Sequence, residues 1–282
     1  MEPLSIITIS AAVGGAAGKL IEKAWDSGEK WLASYFKDHH AVARDAARAN
    51  SLEFLNDLAQ RVHELEAGAK DDARKQQIRD ALQDPDFSAL LKDSLIASSR
   101  TASEEKHRIL ARIVSERVRS ESEGLVALTS GIACEAVKYL TPKHIRFLGI
   151  ATLTYYIRPI GCPSTTAGAP SDELYAAWLT DSLSPYLPFE PMGNLDFLHL
   201  ESLSCIRYDA PFTRKLERVL SPPDGSGCEW SYEEFVQDNA VGTQLHDIWE
   251  SGMQSTVLTT AGQLIGIYVH DELTGTTTEL GW

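Results

Sequence analysis

Two apolar helical segments joined at a Thr-Pro pair constrain the fold of this chain more than any other feature. Between Leu125 and Leu140 the apolar residues recur at intervals of three and four, which is the period of an α-helix. Thr141-Pro142 interrupts this pattern, because the residue before a proline avoids helical geometry. Proline is tolerated at a first helical position after a threonine N-cap. The sequence therefore predicts a helix that ends near Leu140, a second that begins at Pro142, and an antiparallel pair.

Both helices of this pair are apolar over more than one face, and such helices are usually buried. The first includes Leu125, Leu128 and Ile132, and the second has no charge from Phe147 to Ile157. That uncharged run is about half of the roughly 20 residues that a membrane span needs. We therefore expect both helices to lie in the core of a bundle.

Capping signals indicate further helices in the N-terminal part of the chain. Asp84-Pro85 is typical of an N-cap followed by a proline at the first helical position. Thr101-Ala-Ser-Glu104 has the spacing of a capping box. Residues 1–159 are therefore predicted to form an all-α bundle.

The charge distribution separates a second module from this bundle. Residues 1–159 contain 22 Lys and Arg and 22 Asp and Glu, whereas residues 160–282 contain 4 and 18, so the net charge of −14 lies in the second part. The sequence GCPSTTAGAPS at 161–171 is typical of a linker. We predict a bundle at 1–159, a linker at 160–171 and an acidic module at 172–282. An acidic surface repels phosphates, so we expect this module to bind protein rather than duplex nucleic acid.

Short strand patterns alternate with helical ones in the acidic module. Cys205–Tyr208, Cys228–Trp230 and Thr256–Leu258 are strand candidates, and Thr259 or Thr260 is expected to cap a last helix. The phrase V-L-T-T-x-G-Q-L-I at 257–265 is similar to bacterial winged-helix modules, in which L-T-x-x-G commonly opens a late helix. The expected fold class is therefore mainly α, with a smaller α+β, winged-helix-like module that binds protein.

The N-terminal segment admits two interpretations, which stay open. Leu4 to Gly18 contains no charge and ends in small residues, and Lys19 to Lys37 is amphipathic with aromatic residues on its apolar side. This segment either packs into the bundle or forms a membrane or assembly surface after release, since Trp and Tyr favour the membrane interface. The residues of that surface are Leu4, Ile6, Ile7, Ile9, Val13, Leu20, Ile21, Trp25, Trp31, Leu32 and Phe36.

Two family resemblances point to cell death and phage defence. The opening MEPLSIITISAAVGGAAGKLIEK resembles the first helix of HeLo-type cell-death domains, which perforate membranes. The succession DPDFSALLKDSL, EEKHRILARIVSERV and ACEAVKYLTPKHIRFLGI resembles the helical domain of Abi-alpha proteins over residues 71–159. That resemblance implies a bacterial abortive-infection protein, with which an infected cell stops growing or dies. Neither resemblance includes a catalytic motif.

Candidate catalytic residues are few. The chain lacks a phosphate-binding loop, an H-E-x-x-H zinc motif and a G-x-S-x-G elbow. Arg100 and His107 fit the Arg-x(4–6)-His spacing of HEPN-type ribonucleases, in which both residues act at the scissile phosphate. We expect no cofactor and no metal site. The four cysteines are widely spaced without C-x-x-C, which argues against a disulfide scaffold and suits a reducing cytosol.

The sequence thus favours a non-enzymatic effector or regulator of bacterial antiphage defence. Its N-terminal helices would associate with a membrane or assemble, and its C-terminal module would bind a protein partner. We expect a cytoplasmic protein that contacts the inner membrane peripherally on activation. The alternatives are a HEPN-like ribonuclease effector and a structural adaptor.

Overall fold

The computed structural model describes residues 6–35, 41–68, 76, 79–81, 83–120, 124–159, 171–209, 213–223, 228 and 230–278. The described residues are mainly helical, and the sheet found among them has two strands, so the predicted mainly α fold class is confirmed. The chain divides into two compact units, an N-terminal unit that ends at Tyr139 and a C-terminal unit that begins at Leu140. Residues 160–170 of the predicted linker lie outside the described residues.

Local signals in the sequence define the starts of two helices in the N-terminal unit. The Asp84 carboxylate accepts from the Asp86 N–H at 2.8 Å, as the Asp-Pro pair predicts. The next helix is capped by Ser103 rather than by Thr101, because the Ser103 hydroxyl reaches the Lys106 N–H at 3.4 Å. The helices of this unit are α1 (Ile6–Val13), α2 (Gly15–Tyr35), α3 (Ala41–Gly68), α4 (Pro85–Ser99), α5 (Glu104–Arg117) and α6 (Leu125–Tyr139).

Helix α3 forms the centre of the N-terminal unit, where α2, α4 and α5 pack against it. Its Phe54, Leu55 and Leu58 side chains have no solvent exposure. Arg117, in the last turn of α5, is buried as well, and its guanidinium lies 3.1 Å from carboxylate oxygens of both Asp84 and Asp86. These ion pairs compensate the buried charge and join the end of α5 to the start of α4.

The C-terminal unit is built around a helix pair that is distant in sequence, α7 and α13. The Thr141 hydroxyl accepts from the His144 N–H at 3.3 Å and begins α7, as predicted. Thr259 caps α13 through the Gly262 N–H at 3.2 Å. The helices are α7 (Pro142–Tyr156), α8 (Ser171–Leu183), α9 (Asn194–Ser202), α10 (Leu216–Leu220), α11 (Tyr232–Asp238), α12 (Ala240–Glu250) and α13 (Thr260–Thr274).

The two strands of this unit are β1 (Ile206–Tyr208) and β2 (Thr256–Leu258), and they confirm two of the predicted strands. They pair antiparallel, with Ile206 opposite Leu258 and Tyr208 opposite Thr256. The third predicted strand does not form at either of its described residues, because Cys228 and Trp230 have no strand pairing.

Helices α7 and α13 approach each other closely. A Cβ at Gly266 of α13 would lie 1.9 Å from Thr152 Oγ1 and 2.4 Å from the Leu148 carbonyl oxygen of α7. Only a glycine fits so near a neighbouring backbone. The observed division after Tyr139 therefore differs from the predicted boundary at 160–171, because the apolar surface of α7 is covered by the C-terminal helix α13.

The cysteines also differ in part from the expectation. Cys134 and Cys205 are free thiols, and both are buried. Cys228 is disulfide-bonded, so the expectation that the cysteines suit a reducing cytosol does not hold at this position.

Candidate functional sites

Five of the nine described residues of the predicted membrane or assembly surface are buried in the N-terminal unit. Ile9, Leu20, Ile21, Trp25 and Leu32 belong to its core, where α2 packs against α3 and α4. The side chains of Ile6, Val13 and Trp31 are half-buried, Ile7 is 76% exposed, and Leu4 and Phe36 lie outside the described residues.

This placement agrees with the interpretation in which the amphipathic segment packs into the helical unit. Contact of its apolar side with a membrane requires α2 to leave α3 and α4. Among the described residues, no helix is both long and apolar enough to cross a bilayer.

The two residues of the ribonuclease alternative have different environments. Arg100 is exposed and ends α4, where its backbone N–H donates to the carbonyls of Ala97 and Ser98. His107 is fully buried, and its Nε2 lies 2.8 Å from the Thr101 carbonyl oxygen and 3.2 Å from that of Ser98. Because carbonyl oxygens only accept, this nitrogen carries the hydrogen and is occupied by the protein itself.

The cleft beside His107 is acidic rather than suited to RNA. His107 Nδ1 lies 3.4 Å from a Glu53 carboxylate oxygen, without the geometry of a hydrogen bond. The cleft has a volume of about 310 Å³, and Arg100 is not among the residues that line it. Carboxylates at its surface repel a scissile phosphate. Besides His107 it is lined by Glu53, Asn56, Asp57, Glu104 and Arg108.

Helix α6 carries an apolar stripe, although its apolar pattern predicts burial in the core. Four side chains on one face of this helix are exposed to solvent in the folded chain. At 100° per residue they fall within about 60° of the helix circumference, so they form one narrow row. We call this row the α6 stripe; its residues are Leu125 (52% exposed), Leu128 (62%), Ile132 (50%) and Tyr139 (48%).

The opposite face of α6 explains why the prediction of full burial was wrong. Ala133, Cys134 and Val137 pack into the N-terminal unit, where α4 and α5 cover them. The helix is therefore apolar on two faces, of which one is buried within the chain. An exposed apolar row of this kind is more informative than a single exposed leucine, because contiguous apolar surface marks interaction sites.

A polar cluster in the C-terminal unit is centred on Asp196 at the start of α9. One carboxylate oxygen accepts from Lys143 Nζ at 2.9 Å and from the Gly193 N–H at 2.8 Å. The other lies 3.0 Å from His144 Nε2. The second ring nitrogen of His144 accepts from the Thr141 N–H at 3.3 Å, so Nε2 carries the hydrogen that it donates to Asp196.

The electrostatics of this cluster keep Asp196 ionised and His144 neutral. Burial disfavours the charge of Asp196, but the hydrogen bonds from Gly193, Lys143 and His144 outweigh it and lower the pKa to about 2. Burial lowers the pKa of His144, and the hydrogen bond to Asp196 opposes this shift only in part. Since both ring nitrogens and both carboxylate oxygens already have partners, the cluster connects α7 to α9 and offers no free base.

A second buried histidine of this unit is likewise engaged. The Tyr186 hydroxyl and His270 Nδ1 are 3.1 Å apart, and the two rings are stacked. Burial raises the pKa of Tyr186 and lowers that of His270, so a neutral phenol and a neutral imidazole share this hydrogen bond. Groups of three or more His, Cys, Asp or Glu that could hold a metal ion are absent from the described residues.

Sequence reasoning missed Asp196 and misassigned the α6 stripe. No local pattern connects Asp196 to His144, which precedes it by 52 residues. The sequence does carry a signal for the α6 stripe. Helix α6 has more apolar residues than one buried face needs, which indicates a second apolar face that other residues of the chain do not have to cover.

Fold and sites together define a mainly helical protein of two units, with an exposed apolar helix face and no assembled catalytic group among the described residues. A family model matches residues 18–222, and the chain belongs to this family, whose function is unknown. No curated protein and no solved structure matches the chain significantly. The Abi-alpha and HeLo-type resemblances therefore stay predictions.

Proposed function

We propose that this protein is a non-enzymatic effector or regulator of bacterial antiphage defence that acts by assembly. The observation that supports assembly is the α6 stripe, an exposed apolar row on a well-packed unit. The defence setting rests on the Abi-alpha resemblance of residues 71–159.

The occupant that we propose for the α6 stripe is the same stripe of a second copy. Leu125 and Tyr139 each lie seven residues, about two helical turns, from Ile132. If two copies of α6 meet antiparallel with Ile132 on a two-fold axis, Leu125 of one faces Tyr139 of the other. Such a surface is complementary to itself, as an isologous dimer interface must be.

The charged residues beside the stripe do not oppose this pairing. Glu135 and Lys138 form an ion pair at 2.6 Å on α6 itself. Gly131 lies about 100° around the helix from Ile132 and has open space where a Cβ would lie, so it places no side chain beside the row.

The test is the mass in solution, measured by sedimentation equilibrium. We expect the wild-type chain to form a dimer of twice 31.0 kDa, and Leu128→Glu combined with Ile132→Glu to weaken it. Each position counts twice in a two-fold interface, so at ~1 kcal/mol per half-exposed side chain the loss is about 4 kcal/mol, roughly 1,000-fold in Kd. The control is Val42→Glu, since Val42 is 80% exposed on α3. A monomeric wild-type chain contradicts the proposal.

For the C-terminal unit we propose a winged-helix-like module that binds a protein with a basic surface. The excess of acidic residues after Pro159 supports such a partner by charge complementarity and disfavours duplex nucleic acid. The succession β1, helices, β2 and the capped helix α13 supports the winged-helix-like assignment.

Membrane association is the second mode of action within this proposal, for a cytoplasmic protein that reaches the inner membrane peripherally. It is favoured by α1, which is uncharged and has Ile7 exposed. Dye release from anionic liposomes tests it: leakage by the full chain but not by a deletion of residues 1–18 supports this mode, and equal behaviour of both contradicts it.

A further inference from the structure

The N-terminal unit has an open cleft whose surface is dominated by positive charge. Its volume is about 680 Å³, and Lys19, Lys23 and Arg79 line it. None of these three forms an ion pair with a carboxylate in the part of the chain that the structure describes. We call it the basic cleft; its other lining residues are Gly15, Leu20, Glu66 and Gln83.

Glu66 carries the one carboxylate among the described lining residues of the basic cleft, and it is directed to the backbone of α2. A Glu66 oxygen accepts from the Ala17 N–H at 3.4 Å, near the positive end of the helix dipole. The same oxygen lies 3.1 Å from the position of a Cβ at Gly15, so a side chain there would displace it. Glu66 thus binds the start of α2, and the described part of the chain places no carboxylate in an ion pair with the three cationic groups.

Lys19 and Lys23 are separated by four residues on α2, so their ammonium groups emerge one above the other on the same side. Arg79 adds a planar guanidinium, which binds phosphate oxygens in pairs. Three cations around one open cleft suit a ligand with two or more negative oxygens.

We propose that the basic cleft binds a phosphate group, carried either by an anionic lipid or by a soluble phosphorylated compound. The two sources present the same chemistry to Lys19, Lys23 and Arg79. The proposal goes beyond assembly through α6, because the basic cleft and the α6 stripe have no residue in common.

The experiment has two arms, both with the full chain. The first measures co-sedimentation with phosphatidylglycerol–phosphatidylcholine vesicles, and the second measures heat on titration with inorganic pyrophosphate. Whichever of the two probes the wild-type chain binds, Lys19→Gln combined with Lys23→Gln should weaken that binding about 25-fold, which is about fivefold for each lysine. The matched control is Lys30→Gln with Lys92→Gln, which removes two exposed lysines outside the cleft.

The outcomes separate the sources and decide the proposal. Vesicle binding without pyrophosphate binding, lost in the cleft variant alone, assigns the site to a lipid headgroup. Pyrophosphate binding lost in the same variant assigns it to a soluble phosphorylated ligand. The proposal is overturned if neither probe binds the wild-type chain, or if the cleft variant and its control bind equally. Sedimentation mass, measured on the same samples, keeps this result separate from the test of assembly.

Discussion

His144 donates a hydrogen bond from Nε2 to a carboxylate oxygen of Asp196, 3.0 Å away, and the hydrogen bond joins the start of α7 to the start of α9. The Lys143 ammonium and the Gly193 N–H complete the shell of the carboxylate. Three donors bind the half-buried carboxylate of Asp196. Because hydrogen bonds to charged groups are stronger than those between neutral groups, this contact stabilises the unit strongly.

The first prediction is that Asp196→Asn lowers the stability of the C-terminal unit by ~2 kcal/mol, because charge-assisted hydrogen bonds from three donors are weakened together. Thermal unfolding followed by tryptophan fluorescence measures this change. Glu190→Gln is the control, an exposed carboxylate of the same unit. An equal melting temperature for Asp196→Asn and wild type would show that the cluster contributes nothing.

The lowered pKa of Asp196 predicts that the stability of the folded chain depends on pH. The pKa of this carboxylate is about 2 in the folded chain, against an ordinary 3.8, so its contribution to stability is complete above about pH 5 and is lost as the pH falls from there through 2. The lowered pKa of His144 acts in the same direction from pH 6.5 downward, since the unfolded chain takes up the proton more readily. Melting temperatures between pH 5 and pH 2 should therefore fall more steeply for wild type than for Asp196→Asn, and parallel curves would contradict this account.

A further prediction tests whether His107 has a structural or a catalytic role. His107→Ala should lower the stability of the N-terminal unit by ~2 kcal/mol, because it removes the imidazole hydrogen bond to the carbonyls of Thr101 and Ser98 and leaves a cavity at a fully buried position. Arg100→Ala should leave stability unchanged, since Arg100 is exposed. RNA cleavage by the wild-type chain that both substitutions abolish would support the ribonuclease alternative instead.

Two helical glycines provide a matched pair for the packing of α7 on α13. Gly266→Ala should destabilise the chain by ~3 kcal/mol, because its Cβ would overlap Thr152 and the Leu148 carbonyl. Gly131→Ala should stabilise it by ~1 kcal/mol, because nothing lies within 4 Å of that Cβ and alanine favours a helix. Urea denaturation of both variants measures the difference, and equal effects would show that the helices are not in close contact.

Local features of the fold were predictable from the sequence, and long-range ones were not. Helix starts are predictable at Thr141, Asp84 and Thr259. An N-cap side chain binds a backbone N–H only two or three residues later, so the signal lies within a short stretch of sequence. The pairing of α7 with α13 joins segments more than a hundred residues apart, and no spacing rule encodes it.

The exposure of the α6 stripe was not predictable from local sequence for the same reason. Apolar periodicity identifies α6 as a helix, but it does not state which apolar face another helix covers. Ile132 and Val137 are both apolar members of one pattern, yet Ile132 is exposed and Val137 is buried. Whether an apolar residue of α6 lies in the core or at the surface depends on which helices pack against its face.

The most direct test of assembly is disulfide cross-linking at the proposed two-fold axis. Ile132→Cys should give a covalent dimer on mild oxidation, because both copies of residue 132 meet at the axis. Leu125→Cys alone should not, since its two copies lie about 21 Å apart along antiparallel helices, beyond the ~7 Å that a disulfide allows between Cα atoms. Leu125→Cys combined with Tyr139→Cys should cross-link again. The wild-type chain is the control, as Cys134 and Cys205 are buried. No dimer with Ile132→Cys, or an equal yield with Leu125→Cys alone, would contradict the account.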